Sequence, residues 1–344
     1  MREFLIQSVG VLATAMLVNS NKLVLGQLDV PSGYAALTFL HNLTTYLWVR
    51  ISGRCTGLRA PEVHWGWLIL ITGVGSLSVV SSNLLLQLTS VTVHQLMKLA
   101  SLPVGAVVDY YLYGKKRSLE ELAGLLLISY GIYVASTTDK TLSLHATGVA
   151  FVFISGYLAT ATLVRCVCLR CHVSAAEFLY ASAPWGVVSS LVWLSGGLAL
   201  EKRLRHIASP PRDYDTTIAS ITVISNLFLA VSVQFLSTWS AKQSTTMLYA
   251  VIGQAKTAAS VILSVFLFEE KLSMRSASGL SLCLVVALQL AAKEACEKGG
   301  NSTNLCGFFP RGGKVFGAVL STFFIFGSFV SDETTLSSLI RFPE

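Results

Sequence analysis

The sequence predicts an all-α polytopic membrane protein of ten transmembrane helices, arranged as two inverted five-helix repeats. Three observations carry this. The chain is 53% hydrophobic and only 12% charged over 344 residues, with a mean hydropathy of +0.64, which excludes ordinary soluble folds. Ten apolar runs have roughly the 20 residues that a helix needs to cross the hydrocarbon core. Segments of the first half recur in the second at a constant offset of 155.

Taken in order, the first run, about 4–25, already has spanning length. A cleaved signal or an Arg/Ser-rich transit segment is therefore not expected at the front. Runs at about 34–51, 65–86, 91–113 and 119–137 complete a first repeat within residues 1–140. Runs at about 146–167, 178–200, 216–239, 245–268 and 275–292 make a second within 141–293. A tail, 294–344, holds one shorter apolar run near 315–330 after a polar Gly/Asn/Ser stretch. With the N-terminus in the cytoplasm, the loops on that side carry fourteen Lys and Arg against seven opposite, the expected sign of the positive-inside bias. The loop 201–215 dissents with four basic residues.

The repeat is read by setting YGKKRSLEELAG (113–124) against FEEKLSMRSASG (268–279). Tyr113 then matches Phe268, Lys116 matches Lys271, Ser118 matches Ser273 and Gly124 matches Gly279. A repeat with an odd number of spans enters the membrane upside down the second time. That is the inverted-repeat plan of many carriers, whose sites lie near the midplane.

Two lysines interrupt otherwise apolar runs. Lys98 lies within VTVHQLMKLASLPVGAVVDYYLY (91–113), and Lys256 within TTMLYAVIGQAKTAASVILSVFLF (245–268). A charge there costs about 2.5–3.5 kcal/mol on insertion scales and needs an anionic partner. His94, Lys98, Ser101 and Gly105 share one helix face, and the offset maps them to Tyr249, Gly253, Lys256 and Ser260. No Asp or Glu lies in the middle of any run, the nearest being Asp109. The missing anion is then the cargo, and phosphate suits lysine as a compact point charge. The bland alternative is that the lysines snorkel or bond to carbonyls for structure alone. Asn83, His94 and Gln95 near Lys98, with Tyr249 and Gln254 near Lys256, could bond the cargo or bond helix to helix.

These residues resemble the nucleotide-sugar and triose-phosphate transporter branch of the drug/metabolite transporter superfamily, over about residues 19–293. Asn21-Lys22 is similar to the pair that ends the first span in this family. Pro31, Leu37-Thr38 and His41 resemble its second-span pattern. Asn83 followed by SVTVHQLMKLASLP (90–103) resembles the run that carries a substrate-site lysine, here Lys98. Asp139 and Gly148 fall where the family has Asp and Gly, and GQAKT (253–257) is similar to its ninth-helix motif. Thr257 after Lys256 resembles the lysine-threonine subgroup that includes UDP-sugar carriers, where plastid sugar-phosphate carriers have Arg. His94 departs from the more usual aromatic residue, there is no FYNN or GALNK string, and the tail resembles nothing in the family.

The resemblance implies a Golgi or endoplasmic reticulum antiporter, a multi-pass membrane protein exchanging a nucleotide sugar for a nucleoside monophosphate. Substrate-binding residues would be Lys98, Lys256, Thr257, Lys22, Asn83, His94 and Tyr249. A phosphate-exchanging sugar-phosphate carrier is the nearest alternative. A membrane enzyme on an activated sugar would need a mid-span carboxylate pair or a metal cluster such as HExxH, and the sequence has neither. No catalytic residue, cofactor, metal or nucleic-acid partner is expected; membrane lipid is, and a homodimer is an allowed assembly. Seven scattered cysteines read as free thiols. Cys168-Leu-Arg-Cys171-His172 spells a haem-attachment string, but it falls in a loop placed in the reducing cytoplasm. Asn301-Ser-Thr, a glycosylation sequon, lies in the tail.

Overall fold

The computed structural model describes residues 2–28, 32–57, 60–114, 116–137, 144–204, 216–243, 246–268 and 274–298. The expectations for Pro31, Asp139, Lys271, Ser273, Asn301, the run 315–330 and all of the loop 201–215 beyond residue 204 lie outside these residues. The described chain is all helical, with eleven helical segments. They are α1 (Arg2–Leu28), α2 (Gly33–Thr56), α3 (Trp65–Leu88), α4 (Val91–Leu99), α5 (Ser101–Tyr113), α6 (Leu119–Thr137), α7 (Leu144–Arg170), α8 (Ala175–Leu204), α9 (Thr216–Gln243), α10 (Thr246–Phe268) and α11 (Met274–Lys298). Among the described residues, four stretches are long and apolar enough by themselves to cross a membrane: Val9–Gly26, Trp65–Leu88, His145–Val164 and Ala176–Ala199.

Local chemistry sets the boundaries. The Ser90 hydroxyl caps α4 by accepting from Val93 N at 3.2 Å. Ser174 and Glu177 form a reciprocal capping box before α8, with Ser174 N donating to Glu177 Oε2 at 2.9 Å and Glu177 N to Ser174 Oγ at 3.3 Å. The fourth apolar run is not one helix, as the hydropathy expects, but two, parted at Ala100. Pro103 explains the break, because its missing N–H and its ring act on the carbonyl four residues earlier, that of Leu99. The freed turn is tied down locally, with Ser101 Oγ donating to Lys98 O at 2.6 Å.

Two compact units emerge. The first comprises 1–101 and 141–270, the second 102–140 and 271–344. In the first, α3 packs on α7 and α8, α2 on α8 and α9, α1 on α9 and α10, and α4 on α10 and α7. Its core includes a cluster of Val18, Val24, Leu25, Leu37, Leu86 and Val91 and another of Leu68, Ile71, Val167 and Phe178. In the second, α6 packs on α11. Gly131 makes that close approach possible, since a Cβ there would stand 2.9 Å from Gly279 O and 2.7 Å from Cys283 Sγ. Cys283 Sγ donates to Ile128 O at 3.3 Å across a sequence separation of 155. Outward faces carry large apolar side chains such as Phe151, Phe228 and Phe266, the surface of a protein that meets lipid rather than water.

Candidate functional site

The interior of the first unit holds a continuous polar network. Asn83 Nδ2 donates to Thr38 Oγ1 at 3.0 Å, and Asn83 Oδ1 accepts from Asn21 Nδ2 at 3.2 Å. Asn226 Nδ2 donates to Asn21 Oδ1 at 2.7 Å and to Ser20 Oγ at 3.1 Å. Asn226 Oδ1 in turn lies 2.6 Å from His41 Nε2. Four helices, α1, α2, α3 and α9, are thereby joined through buried amides, each of which would be costly left unpaired. Asn19 extends the ties to α10, donating to Ser260 O at 3.1 Å. The motif residues Asn21, Thr38, His41 and Asn83 are thus brought together, Asn83 bonding Asn21 and Thr38 directly and His41 reaching Asn21 through Asn226.

Lys22 lies beside this network. Its ammonium donates to Leu86 O and Thr89 O, both at 2.7 Å. These carbonyls belong to the last turn of α3 and to the residue after it, where helix acceptors lack intrahelical donors and the dipole is negative.

Lys98 occupies the last turn of α4, immediately before the break, and is partly buried. Lys256 is partly buried on α10, the helix against which α4 packs. The packing of α4 on α10 brings the helices that carry the two cations together. Thr257 is buried beside Lys256. Ser260 Oγ donates to Lys256 O at 2.8 Å. One turn before Lys98, His94 is 2% exposed, stacks on Phe153 at 5.8 Å and pairs through Nε2 with Ser82 Oγ at 2.8 Å. Its Nδ1, like Gln95 Nε2, has no hydrogen-bond partner among the described residues. Tyr249 lies on α10, and its side chain is outside the described set. Two clefts of about 410 Å³ are formed by other residues, one by Ser81, His145, Gly148, Val149 and Val152, the other at the end of α2.

Sequence reasoning missed Asn226, Ser82 and Asn19. Asn226 had a visible signal, a single amide inside ITVISNLFLAV, since an amide at membrane depth needs partners on neighbouring helices. At the end of α7, burial, reinforced by the Cys171 thiol, pushes the Cys168 thiol above its ordinary value. Cys168 and Cys171 are both free.

No family model matches the chain. It is 22% identical to the UDP-xylose transporter 1 of Arabidopsis thaliana over 277 residues, 80% of each chain. The UDP-rhamnose/UDP-galactose transporter 2 of the same plant is 22% identical over 297 residues, 81% of this chain and 79% of that one. The chain is similar to plant nucleotide-sugar transporters. A third relative, nucleotide-sugar uncharacterized transporter 1, is 33% identical over 122 residues, 34% of this chain and 31% of its own. These relatives support the nucleotide-sugar transporter family and are named as transporters rather than enzymes. With the apolar helices, they mark a multi-pass membrane protein.

Proposed function

We propose that the chain is a secondary antiporter that carries a nucleotide sugar across a Golgi or endoplasmic reticulum membrane in exchange for a nucleoside monophosphate. The observation that carries this is the pair Lys98 and Lys256, two cations inside apolar runs, on helices α4 and α10 that pack on one another, in a sequence with no Asp or Glu in the middle of any run. A diphosphate between them supplies the counter-charge, with Thr257, His94 and Tyr249 shaping its surroundings. Lys22 and Asn83 hold the scaffold through the bonds they make to α3, α1 and α2. The names of the relatives, transporters of UDP-xylose and of UDP-rhamnose and UDP-galactose, favour a UDP-sugar.

Ten spans in two inverted repeats are the proposed architecture, with the apolar run 91–113 counted as the fourth. The packing supports it through a pairing rule. If α1, α2, α3, α4/α5 and α6 correspond to α7, α8, α9, α10 and α11, a two-fold relation allows helices to touch their own counterparts, as α2–α8 and α4–α10 do within the first unit and α6–α11 does within the second. Several other contacts come in mates under it, α1–α9 with α3–α7, α3–α8 with α2–α9, and α1–α10 with α4–α7. Discontinuous helices at the site and rocking of one repeat against the other are the usual means of alternating access.

The test is uptake of radiolabelled UDP-sugar into proteoliposomes preloaded with nucleotide. Uptake accelerated by internal UMP, and slowed at least about tenfold in Lys98→Gln and in Lys256→Gln, is the expected result. Acceleration by internal phosphate or sugar phosphate instead would indicate the phosphate-exchanging carrier, and uptake indifferent to internal contents would refute exchange.

A further inference from the structure

A second cationic site lies at the C-terminal end of α2, on no helix that carries Lys98 or Lys256. Tyr46, Leu47, Arg50, Ile51 and Arg54 line a cleft of about 410 Å³ there. Tyr46, Arg50 and Arg54 recur every four residues and so share one face. From α8, Tyr180 lies across this face. Gly53 permits it, because a Cβ at that position would be 2.6 Å from Tyr180 Cε2. Arg50 Nη1 donates to Tyr180 Oη at 3.0 Å. Its Cζ lies 4.9 Å from the Tyr180 ring centre and 5.4 Å from that of Tyr46.

Two phenol rings thus fix the guanidinium plane without neutralising it. Among the described residues no carboxylate pairs with Arg50 or Arg54, and the buried Arg50 Nε has no partner. A held, uncompensated guanidinium beside a second one is suited to a phosphate, which it can meet with parallel N–H donors. The flank of the cleft indicates which phosphate. Leu47, Trp48 and Ile51 are 51%, 51% and 62% exposed, an apolar surface for acyl chains. Trp65 and Trp67, exposed at the start of the next helix, mark this end as headgroup depth. A phospholipid is the phosphate that comes with acyl chains to lie along such a flank.

We infer that this cleft binds the phosphate of an anionic phospholipid, with Arg50 and Arg54 on the headgroup and Leu47 and Ile51 along the chains. The full chain, purified in detergent, would be exposed to phosphatidylinositol, phosphatidylcholine or inorganic phosphate, and bound lipid counted by native mass spectrometry. Phosphatidylinositol should be retained in preference to phosphatidylcholine. Arg54→Gln should weaken it about fivefold, and Arg50→Gln with Arg54→Gln about 25-fold, at the usual worth of a basic residue near anionic lipid. Arg54 is exposed, so its single variant should unfold at the wild-type temperature without lipid, which keeps the test independent of folding. Retention unchanged in both variants would overturn the assignment. Displacement of the lipid by inorganic phosphate at equal concentration would also overturn it, by making the cleft a site for soluble anions.

Discussion

At the scale of single residues, the lysines divide by what their ammonium groups touch. Lys22 meets two carbonyls at the end of α3, whereas Lys98 and Lys256 lie on the packed helices α4 and α10. Their variants should therefore fail differently. Lys22→Met removes two charge-assisted bonds worth about 1.5–3 kcal/mol each, and the expected outcome is a lower unfolding temperature with KM for the nucleotide sugar close to wild type. Lys98→Gln and Lys256→Gln each remove a cation that an otherwise apolar run must bury. Each should keep or raise thermal stability while kcat/KM for exchange falls about tenfold to a hundredfold, the loss of one contact to a charged group. Thermal unfolding and initial-rate uptake on the same preparations check both. What the sequence leaves hidden at this scale is partnership. Asn21 and Asn226 are 205 residues apart, and Ser82 reaches His94 from another helix, so no local pattern links them.

At the scale of elements, hydropathy locates helices well because about 20 apolar residues in a row have few alternatives in lipid. The expected run at 119–137 coincides with α6, and 245–268 differs from α10 by one residue. It cannot locate the break at Ala100, since apolar character averages over Pro103 and the steric effect acts on a single carbonyl four residues away. Two variants follow from the helices themselves. Pro103→Ala lets residue 103 donate to Leu99 O and should stabilise the bundle by up to about 3 kcal/mol. If the interruption beside Lys98 serves the transport cycle, the exchange rate should fall in the same variant, seen as a raised unfolding temperature with slower turnover. Gly131→Val forces a side chain into the α6–α11 crossing, where Gly279 O and Cys283 Sγ already stand within 3 Å of the Cβ position. A loss of about 1–3 kcal/mol is expected from overpacking, measurable by thermal unfolding.

At the scale of the whole molecule, the offset of 155 was visible in two twelve-residue strings, and it reappears in the contact between Ile128 and Cys283. The division into units was not visible, because hydropathy carries no information on which helices associate and lipid-facing surfaces look alike. The proposed exchange depends on both halves of the chain. Each contributes one lysine, so an empty site confronts two like charges in surroundings that screen them poorly. Reorientation without cargo then carries a penalty that a bound phosphate removes, and each 1.4 kcal/mol of it slows the empty return about tenfold. Substituting both lysines removes the penalty together with most of the affinity. The double variant Lys98→Gln, Lys256→Gln should therefore show slow uptake from high external concentrations of UDP-sugar that no longer responds to internal UMP, whereas the wild type should be accelerated at least about tenfold. A double variant whose residual uptake still requires internal nucleotide would place the coupling in some other part of the molecule.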